Sequence, residues 1–281
     1  MTLALAPLLL ACAAAAAPAS ASAPAPAPRR APPVAVTPET RNWQPFGLVH
    51  RVAVWGDLLE RACPSATLVR LLPDTRLPPH VAPASRTFVV LSGTLHVGVG
   101  PSWDDARLRT LPSGSFWVVP AGTSTFEQAE GEVVAEVVTG RSGPDCPEPD
   151  RASFLTPDAI RWRPAGALDQ AVLAGNPAST DCPSSVRWRL PAGAALPAPA
   201  GRTSGPTLHT VLSGEVRPGA APLAATRNGA SALPAGSALV LPRGAEGTVE
   251  AATGAVVQVD YLGPSHPACE WLEFARSRAV R

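Results

Sequence analysis

The sequence predicts an all-β protein made of two tandem barrel domains, and three observations support this. The apolar segments are short, rich in Val, Leu, Phe and Trp, and separated by Pro and Gly, as in FWVVPAG and AVVQVDYLG. No long stretch has the apolar period of an amphipathic helix, so we expect few, short helices, with residues 271–281 as one candidate. The chain also repeats itself. Barrels and jelly rolls are the all-β folds that leave few exposed strand edges.

An internal duplication predicts the domain organisation. Pairs of segments match in the same order, with small changes in spacing that indicate loop insertions. The pairs are residues 36–39 and 155–158 (VTPE, LTPD), 55–57 and 174–176 (WGD, AGN), 63–65 and 182–184 (CPS, CPS), 90–93 and 211–214 (VLSG, VLSG), 111–115 and 233–237 (LPSGS, LPAGS), and 143–144 and 263–264 (GP, GP). For a chain of 281 residues this predicts one barrel over residues 36–150 and a second over residues 151–281.

The N-terminal segment has the features of an export signal. Residues 1–23 are apolar and alanine-rich, but too weakly hydrophobic for a membrane span of about 20 residues. Two processing routes stay open: residues 9–12 (LLAC) resemble a lipobox, in which Cys12 would carry a lipid anchor to the membrane, and residues 19–23 (ASASA) fit a signal-peptidase site. Residues 24–35 form a Pro/Ala linker. We expect an exported protein of the periplasm, cell envelope or extracellular space.

The charge balance argues against a nucleic-acid partner. The 23 basic residues are all arginine and are matched by 22 acidic residues, so the net charge is +1. Such a chain offers no strong field to a polyanion or to an anionic membrane surface.

Two segments of the first repeat resemble the sequence motifs of the cupin superfamily. The first motif runs Gly, spacer, His-x-His, gap, Glu, six residues and Gly, and corresponds to residues 77–93; the second, Pro-x-Gly-x-x-His, corresponds to residues 120–125. The resemblance extends over residues 36–264. It implies two cupin-type jelly-roll barrels, also called double-stranded β-helices. In metal-bearing cupins, three His and one Glu bind a transition metal inside the barrel.

The first repeat retains one of these four metal ligands. His80 stands at the first His position, but Ala82, Arg86 and Thr125 replace the second His, the Glu and the last His. A guanidinium is always charged and has no lone pair to donate to a metal. We therefore expect no metal and no other cofactor. If a cofactor is bound, we expect it to be a divalent transition metal.

The second repeat retains no metal ligand. Thr207 stands at the Glu position and Gly247 at the last His. His209 lies two residues after Thr207, so strand alternation places both on the same face. The candidate ligand-binding residues of the two repeats are His80, Arg86, Thr125, Thr207 and His209.

These replacements favour a metal-free, non-enzymatic protein that binds a small molecule or acts as a scaffold. Arg86 and His80 together could hold a carboxylate or phosphate; the competing interpretation is that Arg86 pairs with Asp74 or Glu127, or faces water. Glu127 is an acid–base candidate for which we expect no titratable partner.

Two other functions stay open: a metal-dependent dioxygenase or isomerase using His80 with His96 or other unusual ligands, and a carbohydrate-binding jelly roll. A homodimer also stays open.

The cysteines predict two disulfides. Each repeat has one cysteine before its first long barrel strand, Cys63 and Cys182, and one after its final Gly-Pro, Cys146 and Cys269. Repeat symmetry favours the pairs Cys63–Cys146 and Cys182–Cys269, as expected for an exported protein. Zinc binding is the alternative, but no CxxC spacing supports it.

Overall fold

The computed structural model describes residues 33–56, 63–139, 146–179, 181–197, 205–219, 232–243 and 248–263. Several sequence features lie outside these ranges, so the predictions made about them stay predictions. They are the export segment with Cys12, residues 24–32 of the linker, the Gly-Pro pair at 143–144, Gly247, Cys269 and residues 271–281.

Short β-strands separated by turns make up most of the first half. The strands are β1 (Val34–Val36), β2 (Gln44–Phe46), β3 (Val49–Trp55), β4 (Ser65–Leu71), β5 (Arg76–Val81), β6 (Arg86–Val99), β7 (Arg109–Pro112), β8 (Phe116–Val119) and β9 (Ser124–Thr139). Short 3₁₀ helices span Pro38–Thr40 and Asp105–Arg107. We call β1–β9 the first unit.

The second half repeats this pattern. Its strands are β10 (Ser153–Leu155), β11 (Arg163–Ala165), β12 (Leu168–Ala174), β13 (Ser184–Leu190), β14 (Thr207–Ser213), β15 (Glu215–Pro218), β16 (Leu233–Pro234), β17 (Ala238–Leu241), β18 (Val249–Ala251) and β19 (Ala255–Tyr261), with a 3₁₀ helix at Pro157–Ala159. We call β10–β19 the second unit. Across the described ranges no α-helix occurs, and no helix is long and apolar enough to span a membrane.

Antiparallel pairing organises these strands into jelly-roll sheets. One sheet runs β10-β8-β6-β9-β4-β3-β2, with β5 also paired to β9 and β7 to β6. The second runs β1-β17-β14-β19-β13-β12-β11, and a smaller one runs β16-β15-β18. Every pairing between these strands is antiparallel. The predicted all-β jelly-roll class is confirmed.

The two units exchange their first strands. β1, at the start of the first unit, pairs with β17 of the second, and Val34 lies opposite Val240. β10, at the start of the second unit, pairs with β8 of the first, and Phe154 lies opposite Trp117. A cut near residue 150 would therefore separate each of these strands from the sheet that it completes.

Each unit has its own apolar core on the inner face of its strands. The buried core of the first unit contains Leu71, Ala82, Val90, Leu95, Val97, Leu111, Trp117, Val119, Ala129, Val133 and Ala135. That of the second unit contains, among other described residues, Val186, Leu190, Val211, Leu239, Leu241, Val257 and Val259, and Ala35 of the exchanged strand β1 joins it. Alternation along a strand sends the neighbouring side chains to the opposite face, towards the other unit.

A third apolar cluster joins the two units. Leu68 and Val138 of the first unit pack in one buried cluster with Leu208 and Val240 of the second. Burying these strand faces against one another explains why apolar residues occur on both sides of the central strands, rather than in strict alternation with polar ones.

Buried polar groups lie in this same contact between units. The Thr210 hydroxyl donates to Glu136 Oε2 over 2.6 Å. Arg187 donates to the backbone oxygen of Gly114 over 2.7 Å and to Gln258 Oε1 over 2.8 Å. Gln258 in turn donates to Asp260 over 3.0 Å. All four of these hydrogen bonds thus involve an ionisable side chain that the sequence analysis did not single out.

The repeated Ser-Gly pair has a structural explanation. Gly93 and Gly214 occupy matching turns with φ of +80° and +75°. A Cβ at either position would collide with a backbone oxygen, of Glu132 or Gly254 respectively. Only glycine fits this left-handed, closely packed turn, so the same dipeptide occurs in both units.

Candidate functional site

The first unit contains a partly open cavity of about 430 Å³. Apolar side chains form most of its wall, among them Val49, Val69, Leu71, Leu77, Phe88, Leu95, Trp117, Ala135 and Val137. Four ionisable side chains also line it: Arg51, His80, Arg86 and Glu127. An apolar cavity with a few converging polar groups is the usual form of a small-molecule site.

Three strands bring His80, Arg86 and Glu127 together, and a fourth, β3, carries Arg51. His80 lies in β5, opposite Thr125 of β9, and Arg86 begins β6. Glu127 follows Thr125 by two residues in β9, so both side chains have the same orientation. Of the five predicted site residues, the structure places His80 and Arg86 on the cavity wall and buries Thr125 opposite His80 in the β5–β9 pairing.

Glu127 is the buried carboxyl of the cavity. Its side chain is 7% exposed, and its Oε2 lies 3.7 Å from His80 Nδ1. The expectation that Glu127 has no titratable neighbour is therefore wrong. Within the described residues Glu127 Oε2 has no hydrogen-bond partner. Burial raises the pKa of Glu127, and His80, a hydrogen bond from Thr125 and the charge of Arg86 oppose that rise.

His80 lies at the mouth of the cavity. Its side chain is 45% exposed, and Nδ1 donates a hydrogen bond over 3.0 Å to the backbone oxygen of Pro78. A carbonyl oxygen only accepts, so this bond places the hydrogen on Nδ1. The ring is then held in one orientation beside Glu127.

Arg86 is the half-buried cation of the cavity. Burial lowers the pKa of Arg86, and the nearby Glu127 carboxyl opposes that effect. Among the described residues its Nε is buried without a hydrogen-bond partner. Of the two acids that the sequence analysis considered as neighbours of Arg86, Glu127 is the one that affects its pKa.

The other arginine of the cavity is already engaged. The Arg51 guanidinium carbon lies 4.1 Å from the centre of the Phe46 ring, in a cation–π contact at the mouth. Arg51 and Arg86 are thus the two cations among the described lining residues, and Arg51 is the one that stacks on an aromatic ring.

Thr207 and His209 form a separate pair in the second unit. Both are buried, and the Thr207 hydroxyl and His209 Nε2 are hydrogen-bonded at 3.0 Å. In the β14–β17 register His209 lies opposite Leu239, a residue of the second core. Burial lowers the pKa of His209 to about 4, so the ring is neutral. The structure therefore does not bring these two residues to the cavity of the first unit.

The residues of the cavity do not fit a transition metal. His80 and Glu127 are the two candidate ligands there, and the Arg86 cation lines the same space. In the part of the chain that is described, no group of three or more His, Cys, Asp or Glu side chains converges. Protein sites for such metals ordinarily supply three or four ligands.

His96 does not join His80. It faces away from the cavity, between the core residues Leu95 and Val97, and hydrogen-bonds Glu130 at 3.1 Å. The interpretation in which His96 completes a metal site with His80 is therefore wrong, because the β6 register sends its ring to the outer face.

The predicted disulfide pairing is also wrong. Cys146 bonds Cys182, with their Cα atoms 5.4 Å apart, and Cys63 is disulfide-bonded as well. The Cys146–Cys182 bond rules out both Cys63–Cys146 and Cys182–Cys269. Repeat symmetry failed because the link between the units brings the end of one repeat next to the beginning of the other.

This disulfide borders a second cavity, between the units. The space measures about 640 Å³ and is lined by Arg86, Glu148, Asn176, Ser185 and Asp260, among other residues. Arg86 thus contributes to the walls of both cavities.

Comparison of sequences gives one match, to a family model. A family model described as a domain of unknown function (DUF4437) matches residues 51–155, which is less than half of the chain. No curated protein matches the chain at a significant level of sequence similarity.

Solved structures of cupin-fold proteins superpose on both halves. A cupin 2 conserved barrel domain protein from Leptotrichia buccalis has 16% identity and a TM-score of 0.55, covering 84% of this chain and 98% of its own. Bacterial pirin YhhW from Escherichia coli, in complex with nickel(II), has 11% identity and a TM-score of 0.54, covering 83% and 99%. The oxalate decarboxylase–formate complex from Lactobacillus farciminis has 11% identity and a TM-score of 0.54, covering 83% and 87%. The chain has the cupin fold; identities this low show the fold alone.

Proposed function

We propose that this chain is an exported, metal-free protein of the cell envelope that binds a small carboxylate in the cavity of its first unit. The observation that carries the proposal is Arg86. It stands where the cupin motif has a metal-binding Glu, lines an apolar cavity, and has a buried Nε with no partner among the described residues. A ligand carboxylate would pair with this guanidinium.

The wall of the cavity favours a ligand with an apolar body. Phe88 and Trp117 stack with their ring centres 4.4 Å apart, and aliphatic side chains surround them. Contact with such a wall stabilises a bound hydrocarbon in proportion to the area removed from water. A carboxylic acid with an aromatic or aliphatic tail suits this cavity better than a free phosphate.

The chemistry of the cavity supports binding without a metal. A dication beside Arg86 would be repelled, and His80 and Glu127 would supply only two of its ligands. Among proteins of the same fold, the pirin holds nickel(II) and the oxalate decarboxylase holds formate. We infer that this chain, having lost the metal ligands, retains a site for the organic anion.

In this proposal the second unit has a structural role. Its two candidate residues, Thr207 and His209, are buried and hydrogen-bond each other. The unit also contributes β10 to the sheet that carries the cavity wall at Trp117. Its role is to complete and hold the first unit.

The proposal is tested by metal analysis and by ligand-induced stabilisation. Protein purified without chelators should contain no stoichiometric transition metal. 3-Phenylpropanoate should raise its melting temperature, because a ligand that binds only the folded state stabilises it. Arg86→Gln should abolish that rise, Arg86→Lys should retain part of it, and the control Arg189→Gln, in the second unit, should leave it unchanged. A tightly held metal that is lost in His80→Ala would contradict the metal-free proposal and favour the metal-dependent enzyme.

A further inference from the structure

Glu127 adds a second recognition group to the cavity. Its side chain is more than nine-tenths buried, and its Oε2 has no hydrogen-bond partner among the described residues. A buried carboxyl oxygen without a partner is unfavourable, so native proteins nearly always provide one. Glu127 is also one of the residues that line the cavity, a space that is large enough for a ligand.

The neighbouring side chains described do not provide a hydrogen-bond partner for Glu127 Oε2. The Thr125 hydroxyl hydrogen-bonds the Glu127 carboxyl, yet Oε2 is left over. His80 Nδ1 is 3.7 Å from Oε2, beyond hydrogen-bond distance, and donates its hydrogen to Pro78 instead. The Glu127 carboxyl, which lines the cavity, can therefore accept a further hydrogen bond from a ligand there.

We propose, on the basis of the proposed function, that the ligand is a hydroxy acid with an apolar body: its carboxylate pairs with Arg86 and its hydroxyl with the Glu127 carboxyl. A hydroxyl group suits Glu127 in either protonation state. It donates to the ionised carboxylate and accepts from the neutral acid. A second carboxylate on the ligand would be repelled by the ionised form, and a methyl group would leave Oε2 without a partner.

The test compares ligands that differ by one group, using calorimetry on the full chain. The probes are 3-phenylpropanoate, 3-phenyllactate, 3-hydroxy-3-phenylpropanoate and 3-phenylpropane-1,2-diol. At least one hydroxy acid should bind about tenfold or more tightly than 3-phenylpropanoate, since a hydrogen bond to a charged group in a buried site commonly has this effect. The diol, which has no carboxylate, should bind more weakly than either hydroxy acid.

Two variants assign the effect to Glu127. Glu127→Met keeps the length of the side chain but removes its polar oxygens, so it should bind 3-phenylpropanoate and the hydroxy acids equally. Glu132→Met, at an exposed position of the same strand, should retain the wild-type preference. If Glu127→Met failed to fold, Glu127→Gln, which can still accept a hydrogen bond, should retain a preference for the hydroxyl.

The possible results separate this inference from the proposed function. Should 3-phenylpropanoate bind through Arg86 while neither hydroxy acid binds more tightly, the hydroxyl assignment is wrong and the carboxylate site stands. Should no carboxylate bind, both are wrong. A preference for the hydroxyl that persists in Glu127→Met would also overturn the assignment.

Discussion

Replacing Glu136 by glutamine should make the protein more resistant to mildly alkaline conditions. Glu136 is fully buried between the two units, where Thr210 donates to one oxygen and the other, Oε1, has no partner among the described residues. Burial and the nearby Asp260 carboxyl raise its pKa to about 8, against the opposing effects of Thr210 and Arg41. Gln258 occupies the equivalent register position in the second unit: it lies opposite Thr210, as Glu136 lies opposite Val89. The second unit thus already has glutamine at this position.

The direction of the pH effect follows from the raised pKa. Because the folded-state pKa exceeds the unfolded value of 4.5, Glu136 binds its proton more tightly in the folded state. Its contribution to stability is fully present below pH 4.5 and is lost as the pH rises through 8. Between pH 6.5 and 8 the free energy of unfolding should therefore fall by about 1.6 kcal/mol on account of this group.

Guanidinium denaturation at several pH values measures this effect. The pH window avoids most of the titration of Asp260, whose pKa burial raises to about 6, and of His209. Glu136→Gln should show a smaller decline than the wild type by about 1.6 kcal/mol, and the control Glu132→Gln, at an exposed position of the same strand, should decline like the wild type. Parallel declines in wild type and Glu136→Gln would refute the argument that a buried, protonated Glu136 is present.

Three further predictions concern stability. Burial lowers the pKa of His209, so its neutral ring contributes stability that is present above pH 6.5 and is lost as the pH falls towards 4. His209→Phe introduces the residue found at the equivalent position of the first unit, Phe88, and should remove this loss of stability at acid pH. An unchanged dependence of stability on pH would contradict the prediction. Replacing both Cys146 and Cys182 by Ala opens a link between positions 36 residues apart and should lower the free energy of unfolding by about 4 kcal/mol; denaturant midpoints close to the wild type would show that the bond is not formed. Trp117→Ala, at a fully buried position, should cost about 3–5 kcal/mol, and chemical denaturation that detects less than about 1 kcal/mol would mean that this core position is not packed as described.

Local sequence features were sufficient to predict the all-β class. Strand length, Pro and Gly punctuation and apolar composition are properties of neighbouring residues, and the turns at Gly93 and Gly214 show why such signals are reliable. The exchange of β1 and β10 between the units was not predictable in this way. β1 pairs with a strand near the other end of the described chain, and β10 pairs with a strand of the preceding repeat. Both pairings depend on how two completed sheets pack, which no local pattern encodes.

The cavity, too, could be predicted from the sequence only in part. The spacing of the cupin-like motifs aligns Arg86 and Thr125 with two metal-ligand positions. The sequence alone therefore predicts that His80 lacks these metal-binding partners. The meeting of His80 with Glu127 could not be read from that spacing, because β5 shifts its register against β9 between Leu77 and His80. A shift of one residue exchanges the two faces of a strand, so only the folded sheet determines which side chains meet.

Residue identities along the chain thus define which chemical groups are present. Their positions relative to one another, including the Cys146–Cys182 bond and the burial of Glu127 and Glu136, arise only when the sheets close and pack. Desolvation and charge interactions act over distances in space, and residues far apart in the sequence contribute to them as strongly as neighbours do.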